Sequence, residues 1–494
     1  MVRPDFKEFS RLAGEATLIP VVKSVMADLL TPVSAFLAIA ANEPDSFLLE
    51  SVERGEQIGR YTFLGARPYM RIVARGDTVW LQRGKRKEKR KGSVLQVVKE
   101  LLRRHRPATV PGLPPFTAGA VGYFAYDMVR QLEKIGEHTK DDLSVPDCIL
   151  MFFDRLLAFD HLRHQIHIIA TADVSSESPR RAFDRAVADI ARIEKKLTSG
   201  LHPAHWRKTA RVRQAGLKVH TETSRPQFIK SVERAKEYIA AGDIFQVVLS
   251  QRLDFAPEVA PFDVYRALRA VNPSPYMYFL RMGHTHVLGS SPEMLVRVTD
   301  RKLEYRPIAG THPRGHDEAE DARLEKAMLE DEKERAEHVM LVDLGRNDLG
   351  RVSEYGSVKV RDLMYVERYS HVMHLVSALE GKLRSDLDAL DAFAACFPAG
   401  TLSGAPKVRA MQIIEELEPV RRGVYGGSVL YADFAGNLDS CIAIRTMLMQ
   451  AKQAYLQAGA GIVADSDPET EFQECMNKAQ ALLRAVEMAR ASGQ

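Results

Sequence analysis

The chain has 494 residues, 45% hydrophobic and 27% charged, which excludes the disordered, collagen-like and disulfide-rich classes and is typical of a soluble globular protein. Because single cores stop growing at roughly 250–300 residues, we expect two large lobes. The 69 basic and 65 acidic residues leave a net charge of +4, too small to favour a nucleic acid or an anionic membrane as partner.

Cysteine usage and the N-terminal segment indicate the compartment. Cys148, Cys396, Cys441 and Cys475 lie far apart, without metal-type spacing and without the density of a secreted scaffold. The first residues lack the apolar core of a signal peptide, and the apolar run at 33–41 is shorter than the roughly 18 residues that cross a bilayer. We therefore expect a soluble cytoplasmic protein.

The first third of the chain is predicted to form mainly short strands and one helix. The strands are predicted at 46–51, 70–74, 78–82, 148–154 and 165–171. A helix is predicted at 94–104, opened by a capping box of Ser93 and Gln96. The basic run at 83–91 could contact nucleic acid, but its place between a strand and a helix favours a solvated loop.

The rest of the chain alternates helices with strand pairs. A helix opened by Ser178 and Pro179 precedes a basic, irregular stretch, so we place the boundary between the lobes at about residue 220. Further on, helices are predicted at 227–241 and 321–344, and strand pairs at 287–290 and 293–298. Consecutive strands without strict strand–helix alternation predict an α+β fold with antiparallel sheet.

Two pairs of glutamates could hold a cation. Glu471 and Glu474 lie in the first turn of a helix predicted after the Asp-Pro pair at 467–468, and Glu334 and Glu337 lie on an earlier helix. Residues three apart share one side of a helix. Carboxylate oxygens suit Mg²⁺, which usually takes only one or two protein carboxylates. Solvated helix faces remain the alternative, because 65 acidic residues make this spacing common by chance.

An arginine and two glycines near the C-terminus could bind an anion. Arg445 interrupts an apolar, strand-like run, and a buried guanidinium needs an acceptor such as a carboxylate. That acceptor could belong to a substrate or to an internal salt bridge. Gly459 and Gly461 could let backbone N–H groups approach an anion, or could mark a plain bulge or turn.

The same glycines, with Ala464, also match the dinucleotide-binding pattern GxGxxA, which would indicate an oxidoreductase. In that motif a helix begins within the glycine turn. Here Ile462 and Val463 continue an extended apolar run, and the helix is predicted to start only after 467–468. We therefore reject this interpretation.

Seven motifs occur in a specific order along the chain: SSPEMLVR, RPIAGTHPRG, ERAEHVMLVDLGRNDLGR, GTLSGAPKVRAM, YGGSVLY, SCIAIRT and AGAGIVADSDPETEFQE. This order resembles the chorismate-binding enzyme family over about residues 220–490. TPVSAFL, SFLLES and AVGYFAYD resemble the N-terminal lobe of anthranilate synthase component I within that family. The resemblance implies two stacked antiparallel sheets flanked by helices, with an N-terminal regulatory lobe at 1–220 and a chorismate-binding catalytic lobe at 221–494.

The resemblance implies a Mg²⁺ cofactor and a chorismate site. Glu337 and Glu474 correspond to direct metal ligands, and Glu334 and Glu471 to residues that hold metal-bound water. The residues implied to bind chorismate are Tyr425, Arg445, Gly459, Ala460, Gly461 and Gly310.

The resemblance also implies a set of catalytic residues. Glu293 corresponds to the general acid that protonates the departing C4 hydroxyl, for which it must stay protonated near neutral pH in a desolvated setting. His374 resembles the histidine that assists aromatisation and loss of pyruvate, although a lone histidine among apolar neighbours is often structural. Thr311 and Gln246 match further positions in the catalytic cleft.

Together these residues imply conversion of chorismate and ammonia to anthranilate and pyruvate, the first committed step of tryptophan biosynthesis. Ala309 stands where aminodeoxychorismate synthases carry a lysine nucleophile, and Gln246 where isochorismate and salicylate synthases carry a lysine that activates water. Amination is therefore favoured. The alternative is an aminodeoxyisochorismate synthase, which stops before pyruvate is eliminated. His312 departs from the arginine usual in the family, but Arg314 is retained.

A tryptophan feedback site and a partner subunit are also implied. The residues that resemble the inhibitor site are Glu50, Ser51, Pro275, Tyr276, Met277, Val429 and Tyr431. The segment NPSPYM could equally be a proline-rich entry to a strand. Because no cysteine lies in a glycine-flanked nucleophile elbow, ammonia must come from elsewhere. The family implies a separate glutamine amidotransferase subunit, component II, and we expect neither a nucleic acid nor a membrane as partner.

Overall fold

The computed structural model describes residues 1–51, 59–199, 216–368 and 372–493. Its helices are α1 (Phe6–Leu12), α2 (Pro32–Ala40), α3 (Val94–Leu102), a 3₁₀ helix (Tyr126–Gln131), α4 (Pro179–Thr198), α5 (Arg225–Ala240), α6 (Pro261–Val271), α7 (Glu318–Glu330), α8 (Glu332–Gly350), α9 (Ala389–Cys396), α10 (Gly400–Ser403), α11 (Lys407–Leu417) and α12 (Pro468–Gly493).

Strands of the described residues form two 12-stranded antiparallel sheets. Sheet one has the order β1 (Leu18–Met26), β10 (Gln165–Asp173), β9 (Arg155–Asp160), β3 (Tyr61–Ala66), β2 (Asp45–Glu50), β13 (Tyr276–Met282), β14 (Thr285–Ser291), β23 (Thr446–Gln450), β24 (Gln453–Ile462), β12 (Gln246–Phe255) and β11 (His220–Thr221), with β20 (Gly404–Ala405) beside β12. Sheet two has the order β17 (Ile308–Pro313), β19 (Val372–Lys382), β16 (Lys302–Tyr305), β15 (Met294–Thr299), β22 (Leu438–Ile442), β21 (Ser428–Asp433), β7 (Gly119–Phe124), β8 (Cys148–Phe153), β4 (Met70–Arg75), β5 (Thr78–Arg83) and β6 (Arg86–Lys91), with β18 (Lys359–Arg368) beside β19.

The two sheets stack face to face, and helices cover their outer faces. Phe47 of β2 and Phe153 of β8 meet across the interface with ring centroids 4.7 Å apart, within a buried cluster that draws on both sheets. Helices α2, α4, α6 and α12 pack in the cluster on the outer face of sheet one. Helices α3 and α9 pack in the cluster on the outer face of sheet two. The predicted α+β fold of two stacked antiparallel sheets flanked by helices is confirmed.

In each sheet the strands before residue 220 form one side and the strands from residue 220 onward form the other, and one strand pair joins the two sides. β2 pairs with β13 in sheet one, and β7 pairs with β21 in sheet two. Residues distant in sequence therefore meet between and beside the sheets. No helix in the described part of the chain is long and apolar enough to cross a membrane.

Three local predictions were wrong. The basic run at 83–91 is not a loop, because it forms most of a hairpin in which β6 pairs with β5 at the edge of sheet two. The single helix predicted at 321–344 is two helices, since Asp331 has extended backbone dihedrals and caps α8 by accepting from the N–H groups of Lys333 and Glu334. Ser93 occupies the N-cap position of α3, but its side chain makes no capping hydrogen bond.

Candidate active site

A cavity of about 750 Å³, called the first cavity below, lies among β12, β17, β19, β24, α8, α10 and α12. It collects side chains predicted from the sequence that are up to 228 positions apart, from Gln246 to Glu474. The predicted residues that line it are Gln246, Glu293, Gly310, Glu334, Glu337, His374, Tyr425, Arg445, Gly459, Gly461, Glu471 and Glu474.

The four predicted metal-binding glutamates all line the first cavity. Glu334 and Glu471 lie in the first turns of α8 and α12. Glu337 and Glu474 lie one turn further along, so the prediction that Glu474 lies in a first turn was wrong. Burial, followed by the nearby charge of Glu337, raises the pKa of Glu334. Burial likewise raises the pKa of Glu471, with a further contribution from the charge of Glu474. Neighbouring ionised carboxylates repel each other, and a cation between them would relieve that repulsion.

The donor set fits Mg²⁺. Oε2 of Glu334 is buried and has no hydrogen-bond partner within the described ranges. No three of the four glutamates bring ligand oxygens within 4.8 Å of one another in the described residues. That spacing suits an ion which binds one or two carboxylates directly and reaches others through water. Among these glutamates, Glu474 forms an ion pair with Lys478, whose Nζ lies 2.5 Å from Oε1.

Glu293 lies directly before β15, in a pocket that excludes water. It is 5% exposed, and burial raises its pKa to about 8. The hydroxyl of Thr401 donates to Oε1 of Glu293 over 3.0 Å, and the N–H of Ile308 also donates to this carboxyl group. These two donors lower the pKa, but burial outweighs them. Glu293 is therefore protonated at neutral pH, as a general acid requires.

His374 lies on β19, the strand that pairs with β17. Its Nδ1 is 2.8 Å from the carbonyl oxygen of Gly310, which fixes Nδ1 as the protonated nitrogen and Nε2 as a base. Burial lowers the pKa of His374, so the ring is neutral near pH 7. Gly310 has φ +60°, and a Cβ there would lie 2.6 Å from Oε2 of Glu334, so only glycine fits. The side chain of Thr311 lies outside the described residues.

Arg445, Tyr425 and Gly459 form another wall of the first cavity. Within the described part of the chain the guanidinium of Arg445 pairs with no carboxylate, and it donates to the backbone oxygen of Lys478 at 3.3 Å. Burial lowers the pKa of Arg445. A Cβ at Gly459 would lie 2.6 Å from the Tyr425 hydroxyl, so the glycine admits the tyrosine. The guanidinium of Arg445 is therefore a buried cation in the cavity wall. Among the described residues nothing supports the internal salt bridge that the sequence left open as an alternative.

The side chain of Gln246 lines the first cavity, whereas that of Ala460 does not. Nε2 of Gln246 donates to Oε1 of Glu337 over 3.1 Å, so the amide orients a predicted metal ligand. Gly461 admits that amide, since a Cβ there would lie 2.7 Å from Nε2. The side chain of Ala460 faces away from the cavity into the core formed with α5 and α11, because neighbouring residues of a strand point to opposite faces.

Sequence reasoning missed several residues of the cavity. Thr401 donates to Glu293, Lys478 pairs with Glu474, and Lys333 and Gln457 also line the wall. Thr401 lies within the quoted motif GTLSGAPKVRAM, which is the signal that could have identified it.

A second cavity of about 650 Å³ lies between the two sheets. All the residues predicted to bind an inhibitor line it: Glu50, Ser51, Pro275, Tyr276, Met277, Val429 and Tyr431. Its wall is largely aromatic and aliphatic, and the ring centroid of Tyr431 lies 4.7 Å from that of Phe116. The wall also contains charged groups such as Arg60 and Asp300. A cavity of this kind suits an aromatic ligand that carries charged groups.

Comparison with known proteins assigns the chain to a family. The model of chorismate binding enzymes matches residues 45–484. Anthranilate synthase component 1 of Acetivibrio thermocellus is 48% identical, over 99% of this chain and 99% of that protein.

Solved structures of related proteins have the same fold. The crystal structure of anthranilate synthase component I from Streptococcus pneumoniae is 36% identical and covers 93% of this chain and 98% of its own, with a TM-score of 0.78. The menaquinone-specific isochorismate synthase of Escherichia coli, at 20% identity, shares the fold with a TM-score of 0.69 over 97% of this chain and 98% of its own. The chain therefore belongs to the chorismate-binding enzyme family, and relatives similar to it over nearly their full length include anthranilate synthase component 1 proteins.

Proposed function

We propose that this chain converts chorismate and ammonia to anthranilate and pyruvate, the first committed step of tryptophan biosynthesis. The observation that carries this proposal is the first cavity, which combines four carboxylates, a desolvated Arg445 and a protonated Glu293. Relatives of the same length are named for anthranilate synthesis, which supports the same reaction.

Chorismate carries two carboxylates, and the cavity offers a site for each. Glu337 and Glu474 would hold Mg²⁺ directly, with Glu334 and Glu471 beyond, and the ion would supply charge neutralisation and orientation of the ring carboxylate. Arg445 would bind the enolpyruvyl carboxylate with a charge-assisted hydrogen bond, which gains strength where water is excluded. Together they would fix the ring relative to Glu293.

Glu293 and His374 would perform the proton transfers. As ammonia attacks the ring, the C4 hydroxyl leaves with its electron pair, and the proton of Glu293 converts it to water. The added nitrogen loses its extra proton to become a neutral amine. Nε2 of His374, unprotonated because Nδ1 donates to Gly310, would then remove the ring proton as the bond to the enolpyruvyl oxygen breaks. The departing enolate takes up a proton at carbon and becomes pyruvate.

Ammonia would come from a glutamine amidotransferase subunit. Cys148, Cys396, Cys441 and Cys475 are all buried, and burial raises the pKa of each thiol, for Cys475 to about 12. A buried, protonated thiol is a poor nucleophile for glutamine. The numbering of the relatives as component 1 also supports a second component.

The second cavity would bind tryptophan as feedback inhibitor. The Ser51 hydroxyl is buried in its wall and has no hydrogen-bond partner among the described residues, so it is available to a ligand. Tyr431 and Met277 supply apolar surface for an indole ring.

Magnesium titration tests the proposal. We expect the purified chain, supplied with chorismate and an ammonium salt, to form fluorescent anthranilate only when Mg²⁺ is present, and a chelator to abolish the signal reversibly. Product formation unaffected by the chelator would overturn the metal assignment. A stable amino-adduct in place of anthranilate would support the aminodeoxyisochorismate synthase alternative.

A further inference from the structure

Gln457 places an amide in the wall of the first cavity that the reaction described above does not use. It lies on β24, two residues before Gly459, and is 6% exposed. Residues two apart on a strand share a face, so Gln457 and Gly459 present themselves to the same cavity. A buried amide in a wall of this kind needs partners for both its N–H₂ and its carbonyl oxygen.

A buried network fixes the orientation of this amide. Nε2 of Gln457 donates to Oγ of Ser250 over 2.8 Å, and Oγ of Ser250 donates to Oε1 of Glu418 over 2.7 Å. Glu418 forms a buried ion pair with Arg422, whose Nε and Nη2 donate to its two oxygens at 2.8 and 2.7 Å. Because the single proton of Ser250 goes to the carboxylate, its oxygen can only accept from Gln457.

The carbonyl oxygen of Gln457 is therefore held as an acceptor. No residue in the described ranges donates a hydrogen bond to Oε1 of Gln457, and rotating the amide would place two acceptors, Oε1 and Ser250 Oγ, against each other. An acceptor locked in this way recognises a ligand that carries N–H or O–H groups.

We propose that Gln457 Oε1 is the binding group for the incoming ammonia. The carboxylates of chorismate only accept hydrogen bonds, and its one donor, the C4 hydroxyl, leaves beside Glu293 in the proposed reaction, whereas ammonia has three N–H donors and one lone pair. Donation of one N–H to a neutral carbonyl leaves the lone pair free to attack. A carboxylate at this position would instead favour the ammonium ion, which has no lone pair.

This inference rests on the proposed function and is tested on the full chain with Gln457→Met, which keeps the side-chain length and removes the acceptor. We expect KM for ammonia, measured as free NH₃, to rise about 2- to 10-fold, the range for one net neutral hydrogen bond. KM for chorismate should stay within about twofold. The matched control is Gln412→Met on α11, whose amide donates to the backbone of Lys134 at the surface, and it should change neither constant.

Ser250→Ala provides a second variant, because it keeps Gln457 but removes the oxygen that orients its amide. We expect a smaller rise in KM for ammonia alone, of about twofold. A rise in KM for chorismate, or an unchanged KM for ammonia in both variants, would overturn the inference while the unsubstituted chain still makes anthranilate. Failure of the unsubstituted chain to make any ammonia-dependent product would overturn the proposed function itself.

Discussion

At the scale of single residues, the chemistry depends on how burial changes protonation. Glu293 has two hydrogen-bond donors that stabilise its ionised form, yet burial raises its pKa to about 8. A carboxylic acid keeps its proton in this range when its site is apolar and closed to water. Thr401 and the N–H of Ile308 both donate to the carboxyl group, so they hold its orientation in the wall of the first cavity.

Glu293→Gln tests this role. We expect turnover to fall about 10²- to 10⁴-fold, the usual contribution of a general acid, with the fold retained because glutamine has the same shape. In the unsubstituted chain, turnover at constant free NH₃ should decline as pH rises through about 8, because the protonated form is lost. Glu233→Gln, on the exposed surface of α5, is the control for the substitution itself.

The same pKa shift predicts a stability effect. The folded pKa of about 8 lies above the ordinary value of 4.5, so the stability associated with the protonated group is complete below pH 4.5 and declines as pH rises to about 8. Glu293→Gln should therefore melt at a higher temperature than the unsubstituted chain at pH 8, and the difference should vanish near pH 4.5. A melting temperature below that of the unsubstituted chain at pH 8 would contradict burial as the cause.

Residue types and motif order predicted the glutamate pairs, His374 and Arg445 of the first cavity. They did not predict Gln457 or Lys478, whose importance depends on contacts made across the fold. Gln457 is recognisable only through Ser250, 207 positions earlier in the chain, and no spacing along a strand or helix reports such a contact.

At the scale of elements, two helix starts set the carboxylate-rich end of the cavity. Asp331 ends α7 and caps α8, which places Glu334 in the first turn of α8 and Glu337 in the second rather than within one long helix. The helix dipole stabilises negative charge in the first turn, and Glu471 and Glu474 lie in the corresponding first and second turns of α12. Two helix N-termini thereby hold four carboxylates near one another despite their repulsion.

Glu337→Gln tests the metal assignment. Loss of even an outer partner lowers metal affinity about 10- to 100-fold, so loss of a direct ligand should weaken Mg²⁺ binding by at least that much. Isothermal titration with Mg²⁺ measures the change without relying on turnover. Glu332 lies at the start of the same helix but is exposed outside the cavity, so Glu332→Gln should leave the affinity unchanged.

Pattern reasoning failed where charge replaces the usual hydrophobic alternation. In β6 every residue is charged, so no period-two apolar pattern distinguishes it from a loop. Its pairing with β5 depends on the tight turn at Gly84, which has φ +54°. Charged residues on an edge strand also oppose pairing with another molecule, which accounts for this composition.

At the scale of the whole molecule, strand β15 connects the two cavities. Glu293 of the first cavity immediately precedes β15, and Arg297 and Thr299 on that strand line the second cavity. Arg297 pairs with Asp439 at 3.0 Å and donates to the hydroxyl of Tyr276, so a ligand between the sheets would contact the strand that follows Glu293. Sequence reasoning identified residues of both cavities, but the strand that the cavities share follows only from the structure.

Ser51→Ala tests the regulatory proposal. The variant removes an unpaired buried hydroxyl from the second cavity, so we expect tryptophan to inhibit about 2- to 10-fold less strongly, with uninhibited turnover unchanged. Inhibition curves with tryptophan at fixed chorismate measure the shift. If tryptophan leaves even the unsubstituted chain fully active, the second cavity is not a feedback site.

The most direct test of the central claim is to quantify the products that the purified chain makes from chorismate, Mg²⁺ and ammonia, by chromatography and a pyruvate assay. We predict anthranilate and pyruvate in equal amounts, with no product when ammonia is omitted. Chorismate that remains unchanged under these conditions, or an amino-adduct that accumulates without pyruvate, would contradict the assignment of anthranilate synthesis to the first cavity.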